Sequence, residues 1–236
     1  MNPSATLWTP PPVATVAVRG LRERAPVARL FFVGRNYHAH AVEMGRPVDK
    51  SAEVPFYFTK SPSTLVESGA TVPYPPRTQN YHYEMELVVV VGKPGFRVAE
   101  ADAHELIYGY ACGLDMTRRD LQLAARAKQR PWDLGKDVEQ SAAIAEITKA
   151  AAFGAVGPQA IRLTVDGALK QDAVLDDLIC SVDELVSHLS HYYHLRAGDL
   201  IYTGTPAGVG PVEPGQAIVG TIDGLAPVEL TIGQPE

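Results

Sequence analysis

The sequence predicts an α+β, strand-rich fold with few helices. Short runs rich in Val, Ile, Phe and Tyr recur along the chain, closed by glycine or proline, which is how strands are punctuated. Helix-like patterns are few. The two kinds of segment also do not alternate, so a regular βαβ architecture is not indicated and a mixed fold is expected.

Taken in order, residues 1–26 are proline-rich and end at Ala25-Pro26, an N-terminal arm or strand laid over the remainder, residues 27–236. Ala28–Gly34 (ARLFFVG) reads as a short buried strand. NYHAHAVEMG follows as a short helix, with Asn36 a candidate N-cap and Gly45 its C-terminal stop. Pro55–Lys60 (PFYFTK) is a strand. Leu87–Val91, which carries four consecutive valines, is apolar on both faces and predicts a strand buried on both sides. Ile107–Asp115 (IYGYACGLD) is another apolar run, ending in a carboxylate. Thr117–Gln129 is helical by composition and stops before Pro131. In IRLTVDGALKQ, Asp166-Gly167 supplies a type I′ hairpin turn. SVDELVSHLSHYYHL opens with a capping box, Ser181 with Glu184, and the C-terminal stretch from AGDLIYTGTPAGVG onward is short strands cut by glycine and proline turns.

A chain of 236 residues suffices for one large domain or one domain with a small appendage. Its net charge of −6 gives no reason to expect nucleic acid or an anionic membrane as partner. The opening segment lacks the basic and apolar regions of a secretory signal, and no apolar stretch reaches the length of a membrane span. Cys112 and Cys180 form no close-spaced motif and read as structural thiols of a cytoplasmic protein.

Chemistry concentrates in a few places. In YHYEMELVVVVG, strand alternation puts His82, Glu84 and Glu86 on one face and Tyr83, Met85 and Leu87 on the other. Two carboxylates entering a buried strand are costly unless something neutralises them. With Asp115 from a neighbouring strand they would form an all-oxygen site suited to Mg²⁺, Ca²⁺ or Mn²⁺. Read alone, E-x-E is a solvated edge-strand face, and it is the buried valine run that brings a metal site level with that reading. His40 and Glu43 lie three apart on the short helix, a carboxylate orienting an imidazole that can activate water, or else a surface ion pair. Lys136, in PWDLGKD, could hold an anion or stabilise an enolate beside such a metal. TGTPAGVG lacks the spacing and the Lys-Ser/Thr of a phosphate loop, but its backbone N–H groups and Thr205 could bind a carboxylate. His188, His191 and His194 recur on a helix without a second cluster and read as helix surface. Arg118, Arg119, Arg126, Lys128 and Arg130 read as a solvated basic face from which one arginine points into a site.

In chain order, VGRNYHAHAVEMG, PFYFTKSPST, YHYEMELVVVVG, GYACGLDMTRRDLQ, PWDLGK and GDLIYTGTPAGVGP make the sequence resemble the fumarylacetoacetate hydrolase family, and within it the short fumarylpyruvate and acylpyruvate hydrolases. The resemblance implies a mixed β-sandwich roll of the fumarylacetoacetase C-terminal-domain type over residues 27–236. It puts the family's metal ligands on Glu84, Glu86 and Asp115, its lid-helix dyad on His40 and Glu43, and its active-site lysine on Lys136. Substrate contacts fall on Arg119, Gln122, Thr205 and Lys60. It also implies Mg²⁺ or Mn²⁺, a homodimer, and a small anionic diketo-acid substrate met in aromatic compound catabolism. The expected reaction is hydrolytic C–C cleavage of a 2,4-diketo acid. Oxaloacetate decarboxylation and isomerisation of a 2-hydroxyhepta-2,4-diene-1,7-dioate type of acid are the alternatives. The family often carries two histidines before its first metal glutamate, and here the second is Tyr83.

Overall fold

The valine run sits at the centre of the molecule. The computed structural model describes residues 6–45 and 54–236, and in it every residue of the strand Met85–Val91 is buried. This strand is flanked on both sides by antiparallel partners, Ile107–Asp115 and Asp199–Tyr202. The sheet continues outward in the order Tyr57–Lys60, Arg29–Val33, Asp199–Tyr202, Met85–Val91, Ile107–Asp115, Ala142–Ile144, Leu65–Glu67. Two of its pairings are parallel, Arg29–Val33 with Asp199–Tyr202 and Ala142–Ile144 with Leu65–Glu67, so the sheet is mixed.

Alternation along the central strand feeds two cores. Met85, Leu87, Val89 and Val91 pack with Ile161, Leu163, Ile218 and Leu230 of a second, five-stranded sheet and with Leu185 and Leu189 of the helix Val182–Ser190. Val88 and Val90 face the other way, onto Leu30, Phe32, Leu200 and Tyr202. Val16 and Val18, carried by a hairpin of Thr15–Ala17 against Arg24–Pro26, are buried in that second core. Each such side chain contributes ~1.5–3 kcal/mol through burial. That is why a strand apolar on both faces is stable here and nowhere near the surface.

Local signals decide most of the remaining elements. Asp166 (φ 49°) and Gly167 (φ 78°) both adopt the left-handed conformation of a type I′ turn, joining Ala160–Val165 to Ala168–Val174. Glu184 N–H donates to Ser181 Oγ and Ser181 N–H to Glu184 Oε2, the reciprocal capping box. Two expectations need correction. The helix expected over Thr117–Gln129 is Arg119–Ala127, because Thr117 and Arg118 pair as a short strand with His82 and Tyr81. Asn36 does not cap the helix His38–Glu43, where Tyr37 holds that position. The Asn36 amide instead donates to Cys180 O and Thr203 O and accepts from Cys180 N–H, tying three distant segments together.

Candidate active site

Glu84 and Glu86 lie on the face that Val88 and Val90 continue into the second core, so the carboxylates stand at the open end of that core. Asp115 ends the neighbouring strand, and its N–H donates to Glu84 O at 2.9 Å. This clamps the two strand ends together. All three carboxylates are buried, and each places one oxygen within 4.8 Å of the others. Three cations surround them. Lys136 Nζ donates to Glu84 Oε2 (2.7 Å), Asp115 Oδ2 (2.5 Å) and Thr117 Oγ1 (2.7 Å). Arg119 Nη2 donates to Glu84 Oε1, and its Nη1 to Gln122 Oε1 at 2.5 Å. Lys60 Nζ lies 2.7 Å from Asp115 Oδ1, while its hydrogen bonds go to Met116 O, Ser141 O and Ser141 Oγ.

The three carboxyls feel different fields. Burial pushes Glu84 up, but the Lys136 and Arg119 charges outweigh it and hold the group below the ordinary carboxylate range. Burial, then Asp115 and Glu84, drive Glu86 well above that range, against the single N–H of Gly204 at 2.8 Å. Asp115 is raised by burial in spite of Lys136 and Lys60. Asp115 Oδ1 is buried and paired with the Lys60 ammonium. A divalent cation fits this donor set: three convergent buried carboxylates, of which Glu86 and Asp115 are disfavoured as anions chiefly by burial and would be relieved by a cation between them.

His40 and Glu43 approach the same cavity from the short helix. His40 Nδ1 lies 3.0 Å from Glu43 Oε2, and Gly208 N–H donates to both Glu43 oxygens, at 3.1 and 3.3 Å. The glycine loop thus gives two backbone N–H groups, from Gly204 and Gly208, to carboxylates of the protein itself. The cavity is lined by His40, Glu84, Glu86, Arg119, Gln122, Lys136 and Thr205, with Phe56, Phe58 and Trp132 as an aromatic wall. Asp115, Glu43 and Lys60 stand directly behind this lining, each touching one of its members or another supporting group. Arg126, from the basic helix, joins Arg119 in the lining. His188 stacks on Tyr57 and His194 packs at a tilt against Phe96, away from the carboxylates.

Sequence reasoning missed Gln171, Asn36 and His82. Burial, then the Arg119 charge, lowers the His82 pKa to about 4, so the neutral ring accepts from Arg119 Nε at 3.4 Å and donates from Nε2 to Asn80 Oδ1. Its place on the Glu84 face was the available signal. For Gln171 the signal was a polar residue inside an otherwise exposed strand, and only the fold shows where it turns.

The model of the fumarylacetoacetate (FAA) hydrolase C-terminal family matches residues 29–233. A fumarylpyruvate hydrolase of Ralstonia sp. is 63% identical over 194 residues, 82% of this chain and 100% of the relative. An oxaloacetate tautomerase of Oryza sativa, mitochondrial, is 37% identical over 92% of this chain and 96% of its own length. Among solved structures, fumarylpyruvate hydrolase from Pseudomonas aeruginosa in complex with Mn²⁺ and pyruvate superposes with a TM-score of 0.92 at 44% identity, covering 98% of this chain and 100% of that one. With the strand-rich mixed fold and the buried acidic cluster, these matches make the chain a member of the fumarylacetoacetate hydrolase family.

Proposed function

We propose that the protein is a metal-dependent hydrolase that cleaves a C–C bond of a 2,4-diketo acid, fumarylpyruvate or another acylpyruvate, to pyruvate and a carboxylic acid. The observation that carries this reading is His40, hydrogen-bonded to Glu43 and facing the same cavity as the acidic cluster. Decarboxylation to the same enolate needs no attacking water and so no base to activate one. Held by Glu84, Glu86 and Asp115, Mg²⁺ or Mn²⁺ would supply Lewis-acid polarisation of the 2-oxo acid.

The chain's own groups account for the rest. Glu43, fixed by Gly208, keeps the His40 ring oriented through Nδ1, which leaves Nε2 to take a proton from water. The resulting hydroxide attacks the C4 carbonyl, the C3–C4 bond breaks, and its electron pair passes to the pyruvate enolate. Lys136 has its three protons committed to Glu84, Asp115 and Thr117, so it acts on the developing enolate through its charge. Arg119 and Gln122 form one buried donor edge, and the aromatic wall keeps bulk water from the cavity. Cysteines held as thiols, Cys112 and Cys180, suit a reducing cytoplasm. A homodimer using Mg²⁺ in aromatic compound catabolism completes the reading, and light scattering should then give twice 25.4 kDa.

The decisive assay compares fumarylpyruvate with oxaloacetate on purified protein with Mg²⁺, with and without chelator. Chelator-sensitive hydrolysis of fumarylpyruvate is expected, and His40→Ala should lower it by about 10²-fold or more while affecting any oxaloacetate loss far less. Turnover of oxaloacetate alone would overturn the hydrolase reading.

A further inference from the structure

Gln171 is fully buried, and its amide orientation is fixed by backbone groups at both ends. Met85 N–H can only donate, so the atom it reaches at 3.0 Å is Oε1. Pro206 O can only accept, so the atom 2.7 Å from it is Nε2. The second Nε2 proton then goes to Thr205 Oγ1 at 2.8 Å. The Thr205 hydroxyl is therefore an acceptor on its Gln171 side. Thr205 is itself buried and lines the cavity beside Glu84 and Glu86, so its own proton is left to point into that cavity.

The backbone is shaped to put Gln171 there. Leu163 pairs with Gln171 but Thr164 pairs with Leu169, so Lys170 is the extra residue of a β-bulge that re-aims the strand. Gly208 packs against the bulge so closely that a Cβ would lie 2.1 Å from Lys170 O. The loop bearing Thr205 is docked on the turn that aims Gln171 inward.

We infer that Gln171 is a positioning residue which locks the Thr205 hydroxyl as a hydrogen-bond donor to the carboxylate of the bound 2-oxo acid. This deepens the function proposed above and rests on it only for the class of ligand. A neutral donor reaching a buried carboxylate is worth about a factor of ten or more in affinity, and loss of Gln171 would let the hydroxyl rotate towards Pro206 O instead.

A double-mutant cycle on the Mn²⁺-loaded protein, with pyruvate as the probe in calorimetry, tests this. Gln171→Leu, Gln171→Met and Thr205→Val should each raise the pyruvate Kd about tenfold, and Thr205→Ser should leave it near the wild-type value. In the Thr205→Val background, either Gln171 substitution should change Kd by less than about twofold. Equal losses in both backgrounds, no loss in either, failure of both Gln171 variants to fold, or no pyruvate binding by the wild-type protein would each overturn the inference. Fumarylpyruvate turnover is measured on the same samples. A protein inactive on fumarylpyruvate whose pyruvate affinity still follows the cycle would reject the hydrolase reading and keep Gln171's role.

Discussion

Glu84 accepts from Arg119 and Lys136 and Asp115 accepts from Lys136, whereas Glu86 receives the Gly204 N–H. Removing one member of so balanced a set has different consequences at each position. Glu84→Ala takes away one of the oxygens proposed to hold the metal and leaves two cations, Arg119 and Lys136, crowded together. Its Mn²⁺ affinity should fall on the order of 100-fold or more, and turnover with it, as titration calorimetry on the folded variant would reveal. Retention of wild-type affinity and turnover would remove Glu84 from the metal site. Lys60→Met acts differently, because it strips one of Asp115's two counter-charges, leaving Lys136, without touching the cavity lining. Breaking a buried pair in this way costs about 3–5 kcal/mol. Urea unfolding of the metal-free protein should show that loss, and a saturating divalent cation should restore part of it. An unchanged urea midpoint would mean that the Lys60–Asp115 pair contributes nothing to stability.

The loop from Thr203 to Gly210 is the element that joins these residues, since it supplies Gly204 N–H to Glu86, Thr205 to the cavity and Gly208 N–H to Glu43. Gly208 sits at φ +97° against Lys170 O, so an alanine there is disfavoured by both backbone conformation and space. Gly208→Ala should displace the loop and lower kcat about tenfold or more, because displacements on the order of 1 Å at a catalytic group carry penalties of that size. Ser181→Ala is the matching control. It removes a helix cap that is not part of the cavity lining and should cost about 1 kcal/mol in denaturant unfolding with kcat unchanged. Equal kcat losses in the two variants would show that loop docking has no special link to the site. Much of this site was legible because its carriers obey short periods: Glu84 and Glu86 by alternation, His40 and Glu43 by helix spacing, Asp115 by ending an apolar run. Gln171 and Asn36 were not, because their partners lie far away in sequence. A bulge at Lys170 decides which way Gln171 faces, and Asn36 favours distant backbone groups over the helix beside it.

On the scale of the whole molecule, the central strand was readable from hydrophobicity alone, whereas the order of strands around it was not. Parallel neighbours such as Arg29–Val33 and Asp199–Tyr202 are far apart in the chain, and no local signal pairs them. That arrangement encloses several phenols and a thiol between sheets. Burial raises the pKa of Tyr37, Tyr81 and Tyr202 above the ordinary phenol value of 10.0, with Glu86 adding to the effect at Tyr37 and Tyr202. Burial likewise pushes the Cys112 thiol up to about 12 from 9.0. These groups are neutral when protonated, and the fold retains their protons at pH values where the unfolded chain releases them. The unfolded state therefore binds fewer protons as pH rises past about 9 for the thiol and about 10 for the phenols, and stability falls with rising pH. Each group contributes up to about 1.4 kcal/mol per pH unit within its window. The melting temperature should decline steeply between about pH 9 and 11, and Cys112→Ala should lessen the part of the decline that begins near pH 9. Tyrosinate absorbance from Tyr37, Tyr81 and Tyr202 should appear together with loss of the folded circular dichroism signal. Ionisation of Tyr37, Tyr81 and Tyr202 in a still-folded protein, followed through Tyr→Phe variants of each, would show that water reaches the space between the sheets.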